Sequence, residues 1–185
     1  MPDGWATSEA ISSYQPKESS EALYPGGRTL SVHSSGKLAL VGSPDGVAGV
    51  YSTTAKRVAQ VLQSSGPVTD AVWAGDKAVV ASSTGSVKIF ENGSEVASFN
   101  LHAGEATSLA LHPTGDIVAS VGADKSYVLY DLTSNSVVTQ IFSDACKEPC
   151  PTTAAWNLAD LCLFRYSSSI CQIPPRWPPR SCGCC

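Results

Sequence analysis

Short apolar stretches separated by polar turns recur along the chain between residues 28 and 144. The stretches are four to seven residues long and rich in β-branched side chains, and Gly, Ser, Asp or Asn residues bound them, which favours strands. The most continuously apolar stretches are predicted second strands of three similar units, at residues 38–41, 78–81 and 117–121. Looser fourth strands are predicted at residues 57–62, 95–100 and 136–142.

The three units repeat with a regular spacing. His33, Trp73 and His112 are predicted to close the first strand of each unit and lie 40 and 39 residues apart. The repeat aromatics Tyr51, Phe90 and Tyr130 end each third strand, 39 and 40 residues apart. A period of about 40 residues with short strands and one fixed aromatic is typical of propeller blades. The sequence therefore predicts an all-β fold, a partial WD40 β-propeller with three four-stranded blades at residues 28–65, 66–104 and 105–144.

The third unit carries the most complete set of polar residues. His102 precedes its first strand, Ser120 lies on the second strand, Asp124 lies in the following turn, and Tyr130 ends the third strand. A buried imidazole needs partners for both ring nitrogens, and an Asp in the turn supplies one. We expect a structural hydrogen-bond set. A Ser-His-Asp triad is the alternative, but the sequence has no nucleophile elbow.

The first two units are less complete. Asp45 stands six residues before Tyr51, as Asp124 does before Tyr130, but no His accompanies it. The second unit has Ser-Ser-Thr-Gly at residues 82–85, where the Asp is expected. We therefore expect these two blades to be held less firmly. The glycine-rich residues 42–49 are predicted to be a turn, because no Gly-Lys-Ser/Thr follows.

The two ends of the chain differ from the repeats. Residues 1–27 are polar and are predicted to be an irregular arm. Residues 145–185 are predicted to be an irregular tail, in which residues 152–156 are a displaced first strand. This tail holds every cysteine of the chain, at Cys146, Cys150, Cys162, Cys171, Cys182, Cys184 and Cys185.

Several hypotheses account for the tail. A non-native sequence, from a retained intron or a shifted frame, is favoured. A zinc site is an alternative, although the available spacings, Cys146-x3-Cys150 and Cys182-x-Cys184-Cys185 with no His in the tail, are not those of a strong zinc signal. A prenylated C-terminus and a disulfide staple are weaker alternatives.

Composition narrows the function classes. The formal charge is −4 and the 12 Lys and Arg residues are scattered, which argues against a nucleic-acid groove. The sequence has no run of 18 apolar residues, so it predicts no membrane-spanning segment. Its first residues do not resemble a signal peptide. We expect a cytosolic or nuclear protein, and the sequence indicates no catalytic residue, no cofactor site and no metal ligand set.

Three segments of the sequence resemble one particular family of WD40 proteins. They are residues 12–16, residues 21–27 and, most specifically, Asp-Gly-Val-Ala-Gly-Val-Tyr within residues 38–51. These resemble the start of the propeller in the pre-mRNA-processing factor nineteen family, scaffolds of the spliceosomal Nineteen complex. The resemblance implies a nuclear role in splicing and DNA repair, with spliceosomal subunits and ubiquitination substrates as partners.

Members of that family also carry a U-box of the RING type, which makes them E3 ubiquitin transferases, and a coiled coil that forms tetramers. Neither segment is visible in this sequence, so we expect no ubiquitin transfer by this chain alone. The leading hypothesis is a WD40 protein-interaction module. The alternatives are a truncated, non-functional fragment and a metal-binding protein that uses the tail. Three blades do not close a ring, so we expect the chain to be unstable, self-associating or both.

Overall fold

The computed structural model describes residues 26–142 and three short strands within residues 153–173. The described residues form strands joined by turns, and residues 1–25 of the predicted N-terminal arm lie outside them. The strands, in chain order, are β1 Thr29–Val32, β2 Leu38–Gly42, β3 Val47–Ser52, β4 Arg57–Gln63, β5 Val68–Ala74, β6 Lys77–Ser82, β7 Ser86–Glu91, β8 Ser94–Asn100, β9 Ala106–Leu111, β10 Ile117–Gly122, β11 Ser126–Asp131, β12 Ser136–Phe142, β13 Thr153–Trp156, β14 Cys162–Arg165 and β15 Ile170–Ile173.

Consecutive strands pair antiparallel within four sheets. Strands β1–β4, β5–β8 and β9–β12 form three four-stranded sheets, which we call blade 1, blade 2 and blade 3. Strands β13–β15 form a three-stranded tail sheet. The first strand of each blade lies innermost: β5 packs against β1, β9 against β5, and β13 against β9. This arrangement confirms the predicted all-β fold with three propeller-type blades.

Apolar side chains fill the spaces between neighbouring blades. One cluster joins blades 1 and 2 and includes Leu40, Leu62 and Val80. A second cluster joins blades 2 and 3 and includes Ile89 and Tyr130. Each fully buried side chain of this size contributes about 1.5–3 kcal/mol, so the blades are stabilised mainly by one another.

The repeat aromatics lie at equivalent positions, but the predicted equivalence of Trp73 with His33 and His112 is wrong by one residue. In each blade the repeat aromatic pairs with one residue of the second strand: Tyr51 with Ala39, Phe90 with Ala78, and Tyr130 with Val118. On the innermost strand, the partners of these second-strand residues are Val32, Trp73 and Leu111. The counterpart of His33 and His112 is therefore Ala74. The cause is turn length, because the turn after β5 spans two residues between Ala74 and Lys77 and is shorter than the corresponding turns of the other blades.

The tail sheet contains more regular structure than the sequence predicts. Strand β13 matches the predicted displaced first strand, and Ala154 in it is buried. Strands β14 and β15 fall where the sequence predicts no strand. They pair antiparallel as a meander, although the Cys- and Ser-rich sequence has no alternating pattern. The tail sheet occupies the place of a next blade beside blade 3.

Candidate functional site

The four polar residues predicted in the third unit come together in blade 3. His102 lies in the loop between β8 and β9, and its Nε2 is 2.6 Å from Ser120 Oγ on β10. Ser120 Oγ is in turn 3.1 Å from the Tyr130 hydroxyl oxygen on β11. On the other side of the ring, His102 Nδ1 is 3.4 Å from Asp124 Oδ1 in the turn between β10 and β11. One side-chain network therefore ties the entry loop to three strands or turns of the blade.

Ser126 is a member of this network that the sequence analysis missed. Its Oγ is 2.7 Å from His102 Nδ1 and donates to Asp124 Oδ1 at 2.6 Å. Because Ser126 gives its only proton to the carboxylate, it accepts from Nδ1–H, which sets the tautomer of the neutral ring. The hydroxyl therefore carries the coupling between His102 and Asp124. A Ser four residues before the repeat aromatic was the available signal.

The surroundings of the network favour a neutral imidazole and an ionised carboxylate. Burial lowers the pKa of His102 and outweighs the opposing charge of Asp124. Burial alone raises the pKa of Asp124, but hydrogen bonds from Ser126 Oγ, Ala103 N and Ser126 N hold that pKa below its ordinary value. Burial raises the pKa of the Tyr130 hydroxyl to about 12. These groups therefore keep fixed protonation states near neutral pH.

The geometry gives the network a structural role. Ser120 Oγ contacts His102 Nε2 as a triad nucleophile does, but Ser120 is fully buried and also contacts Tyr130. Asp124 is ionised and also holds the loop through Ala103 N at 2.8 Å. Ser120 and His102 are buried and bonded to each other, so these contacts connect the entry loop to the strands of the blade.

Gly122 makes the close approach of the imidazole and the carboxylate possible. A Cβ at this position would collide with His102 Nδ1 and Asp124 Oδ1. The backbone of β10 therefore forms one wall of the site, and any larger residue would displace the ring. The sequence analysis did not single out this glycine.

The equivalent turns of blades 1 and 2 contain smaller sets. In blade 1, Ser43 Oγ is 3.3 Å from Asp45 Oδ2. In blade 2, Ser82 Oγ is 2.7 Å from Thr84 Oγ1 and 2.8 Å from Ser86 Oγ. Neither turn receives an imidazole. Their networks are smaller than that of blade 3, and the lower firmness of these two blades stays a prediction.

A polar belt around the innermost strands was also missed by the sequence analysis. Thr29, Asp70 and Ser108 occupy the same register position on β1, β5 and β9. Asp70 Oδ1 accepts from Thr29 Oγ1 at 2.9 Å, and Asp70 Oδ2 accepts from Ser108 Oγ at 3.3 Å and from Leu109 N at 2.8 Å. One carboxylate of blade 2 therefore links blades 1, 2 and 3.

A cavity of about 170 Å³ opens between blades 1 and 2 at the end of the blades where β1 and β5 finish. Its walls include Trp73, Phe90 and Gln60, and the turn residue Asp76 lies at its rim. The rings of His33 and Trp73 meet edge to face, with centroids 5.2 Å apart. His33 Nε2 is 3.6 Å from Asp76 Oδ1. The cavity therefore combines aromatic faces with one exposed carboxylate.

A metal site and a membrane-spanning helix are both absent from the described residues. These residues contain no group of three or more His, Cys, Asp or Glu side chains arranged to hold a metal ion. The cysteine side chains of the tail, on which the zinc hypothesis depends, lie outside the described part of the structure. No helix in the described part of the chain is long and apolar enough to cross a membrane.

The blades are four-stranded antiparallel sheets whose innermost strands pack side by side. A loop joins the outer strand of one blade to the innermost strand of the next. This arrangement defines a WD40-type propeller architecture. The WD40 family profile, described as WD domain, G-beta repeat, matches residues 93–131. The match begins just before β8 and ends with β11, so it contains the entry loop and the complete network of His102, Ser120, Asp124 and Tyr130. No curated protein matches the chain. The chain therefore contains a WD40 repeat within a propeller fragment.

Proposed function

We propose that this chain is a protein-interaction module whose binding site is the cavity between blades 1 and 2. The observation that carries the proposal is the combination of Trp73, Phe90 and Asp76 at one opening. WD40 repeats mediate contacts between proteins, and the buried network of blade 3 offers no reactive group that competes with this role.

The size and charge of the cavity favour one side chain of a partner. Its volume of about 170 Å³ is below the roughly 300–1,000 Å³ typical of small-molecule pockets. The side chain of Asp76 is 91% exposed. A Lys or Arg side chain can place its stem against the aromatic walls and its charge beside this carboxylate.

We further propose that the partners belong to the spliceosomal Nineteen complex, or are ubiquitination substrates of it. This proposal rests on the resemblance of residues 38–51 to the pre-mRNA-processing factor nineteen family. It places the chain in the nucleus, with roles in splicing and DNA repair. The E3 transferase activity of that family would require segments other than the blades described above.

Affinity capture from nuclear extract tests both proposals when subunits of the spliceosomal Nineteen complex are detected individually. Asp76→Lys reverses the charge at the cavity rim. Asp116→Lys is the matched control, because Asp116 is an exposed residue in the corresponding turn of blade 3. We expect wild type and Asp116→Lys to retain the subunits, and Asp76→Lys to retain less than about one tenth of them.

The possible results separate the two proposals. Failure of wild type to capture any of these subunits would reject the splicing assignment. Equal capture by Asp76→Lys and wild type would reject the cavity as the binding site. A fluorescently tagged chain that stays outside the nucleus would contradict the proposed localisation.

A further inference from the structure

The junctions between blades follow one hydrogen-bonding rule. The innermost strand of a blade has an unpaired edge, and its buried N–H groups need acceptors. Ser31 Oγ of blade 1 accepts from Trp73 N at 3.1 Å, and Asp70 Oδ2 of blade 2 accepts from Leu109 N at 2.8 Å. A polar side chain of each inner strand therefore satisfies one backbone N–H of the next strand. The two contacts lie two register positions apart, and Ala71 N, the counterpart of Leu109 N, bonds instead to Asp70 Oδ1 of its own strand.

The same rule extends from blade 3 to the tail sheet. Ser108 Oγ accepts from Ala154 N at 3.4 Å, as Asp70 accepts from Leu109 N. Ala154 thus corresponds to Leu109, and Thr153 takes the register position of Ser108 on the next inner strand. The polar belt continues in sequence as Thr29, Asp70, Ser108 and Thr153, with a hydroxyl or a carboxylate at every step.

Blade 1 presents an uncovered flank of this same kind. Leu30 and Val32 on β1 are 67% and 58% exposed. Leu30 corresponds by register to Ala71 and Leu109, which are both buried. Val32 corresponds by register to Trp73 and Leu111, and both of these pack against the apolar clusters between blades. Strand β1 therefore carries apolar side chains on the flank where the corresponding strands of blades 2 and 3 contact the preceding blade.

We propose that a second copy of this chain covers this flank, with its tail sheet packed against blade 1. Both halves of the contact are present on one chain: β1 presents the receiving face, and β13 is the next inner strand in the series. In this contact residue 153 on β13 of the second copy takes the register position next to Leu30 on β1, as residue 108 on β9 does next to Ala154. The interface is thus a continuation of the three junctions already formed within the chain.

Two copies complete a ring. The described residues of each chain form four sheets, so those of a pair form eight, which is the upper end of the usual range of propeller blades. The contact joins different surfaces of the two copies, and such head-to-tail contacts end in a closed ring when the rotation per copy allows it. A dimer with two equivalent junctions is the predicted assembly.

Sedimentation equilibrium of the full chain measures this assembly directly. One chain has a mass of 19.2 kDa, and we expect twice that mass at micromolar concentration. Leu30→Asp and Val32→Asp each place a charge in the proposed junction, and we expect each to raise the dissociation constant by at least about 100-fold. Both side chains are exposed in the single chain, so the fold of the monomer tolerates these changes.

Two matched controls exist on the outer strands. Val61 on β4 and Val138 on β12 are each 53% exposed, and Val61→Asp and Val138→Asp should leave the dimer intact. Circular dichroism identifies any variant that loses its strands, and the remaining variant at β1 then decides the result. A monomeric wild type, a dimer unaffected by both β1 variants, or growth into open polymers would each overturn the proposal.

Discussion

Blade 3 and blade 2 have the same strand order but hold the turn between their second and third strands in different ways. In blade 3, His102 enters from the preceding loop and joins Ser126, Asp124, Ser120 and Tyr130. In blade 2, three hydroxyls bond to one another around Ser82, and no side chain enters from the preceding loop. The strand arrangement of a blade therefore does not depend on the imidazole network.

The residues of blade 2 at the positions of the network explain why this blade has no imidazole network. Ser64 is the nearest counterpart of His102, two residues before a loop glycine in each case, and its Oγ is buried without a partner. Val80 replaces Ser120, and Ser82 replaces Gly122. A histidine before blade 2 would therefore meet the Cβ of Ser82 and find no hydroxyl at Val80. The difference between the blades lies in several residues together.

The largest effect is expected from Gly122→Ala. The new Cβ would displace His102 and Asp124, and both would lose their short contacts while remaining buried. We expect the free energy of unfolding to fall by about 3 kcal/mol or more, measured by urea unfolding at one fixed protein concentration. Gly104→Ala is the control, because a Cβ there meets Ala123 Cβ at an ordinary 3.4 Å. Equal losses for both variants would mean that the network wall is unimportant.

His102→Ala and Ser64→Ala test the two loops against each other. Removing His102 leaves the buried hydroxyls of Ser120 and Ser126 short of a partner, and we expect a loss of about 2–3 kcal/mol. Removing the hydroxyl of Ser64 deletes a buried group without a partner, so we expect no loss or a small gain. Similar losses in the same unfolding experiment would contradict the distinction between the blades.

Acidification should weaken blade 3 before it weakens the rest of the protein. The folded pKa of His102 lies below the ordinary value of 6.5, so the unfolded chain binds more protons below that pH. Stability is therefore unaffected above about pH 7 and falls as the pH decreases below 6.5, by at most about 1.4 kcal/mol per pH unit for this one group.

His102→Gln should abolish this part of the profile. Urea unfolding between pH 7.5 and 5 provides the measurement, and His33→Gln, which replaces a histidine outside the network, is the control. The lowered pKa of Asp124 adds a separate loss of stability only as the pH falls below its ordinary value of 3.8. A His102→Gln profile identical to that of wild type would contradict the expected role of the imidazole.

The smallest effects are expected from exchanging the repeat aromatics. Tyr130→Phe removes the hydroxyl next to Ser120 and should cost about 1 kcal/mol. Phe90→Tyr adds a hydroxyl beside Val80, which offers no hydrogen bond, and should also cost about 1–2 kcal/mol. Thermal unfolding of both variants checks this, and a gain in stability for Phe90→Tyr would show that blade 2 already contains an acceptor for it.

The sequence predicted the repeat well because its strongest signals are local. Strand composition, turn residues and the fixed aromatics Tyr51, Phe90 and Tyr130 recur at nearly constant spacing. The network of blade 3 was predicted for the same reason, except for Ser126, whose hydroxyl could not be placed before the turn geometry was known.

The remaining features depend on contacts between distant segments. A shorter turn after β5 hid the true position of Trp73, because a count along the chain does not show where pairing resumes. The sequence analysis did not single out Asp70, because two of its donors lie 41 and 39 residues away on other blades. Strands β14 and β15 pair in a segment without alternation, so periodicity gave no signal for them.

The carboxylate of Asp70 also limits how such a protein can evolve. Repeats arise by duplication, and equal units could be gained, lost or exchanged without cost if each junction were the same. Here the second unit alone supplies a charged acceptor that reaches both neighbours. Deleting this unit would place Thr29 beside Leu109 N. The short hydroxyl of Thr29 would then have to replace the carboxylate that now accepts from Leu109 N. The three units thus share one strand arrangement but are not interchangeable in their order.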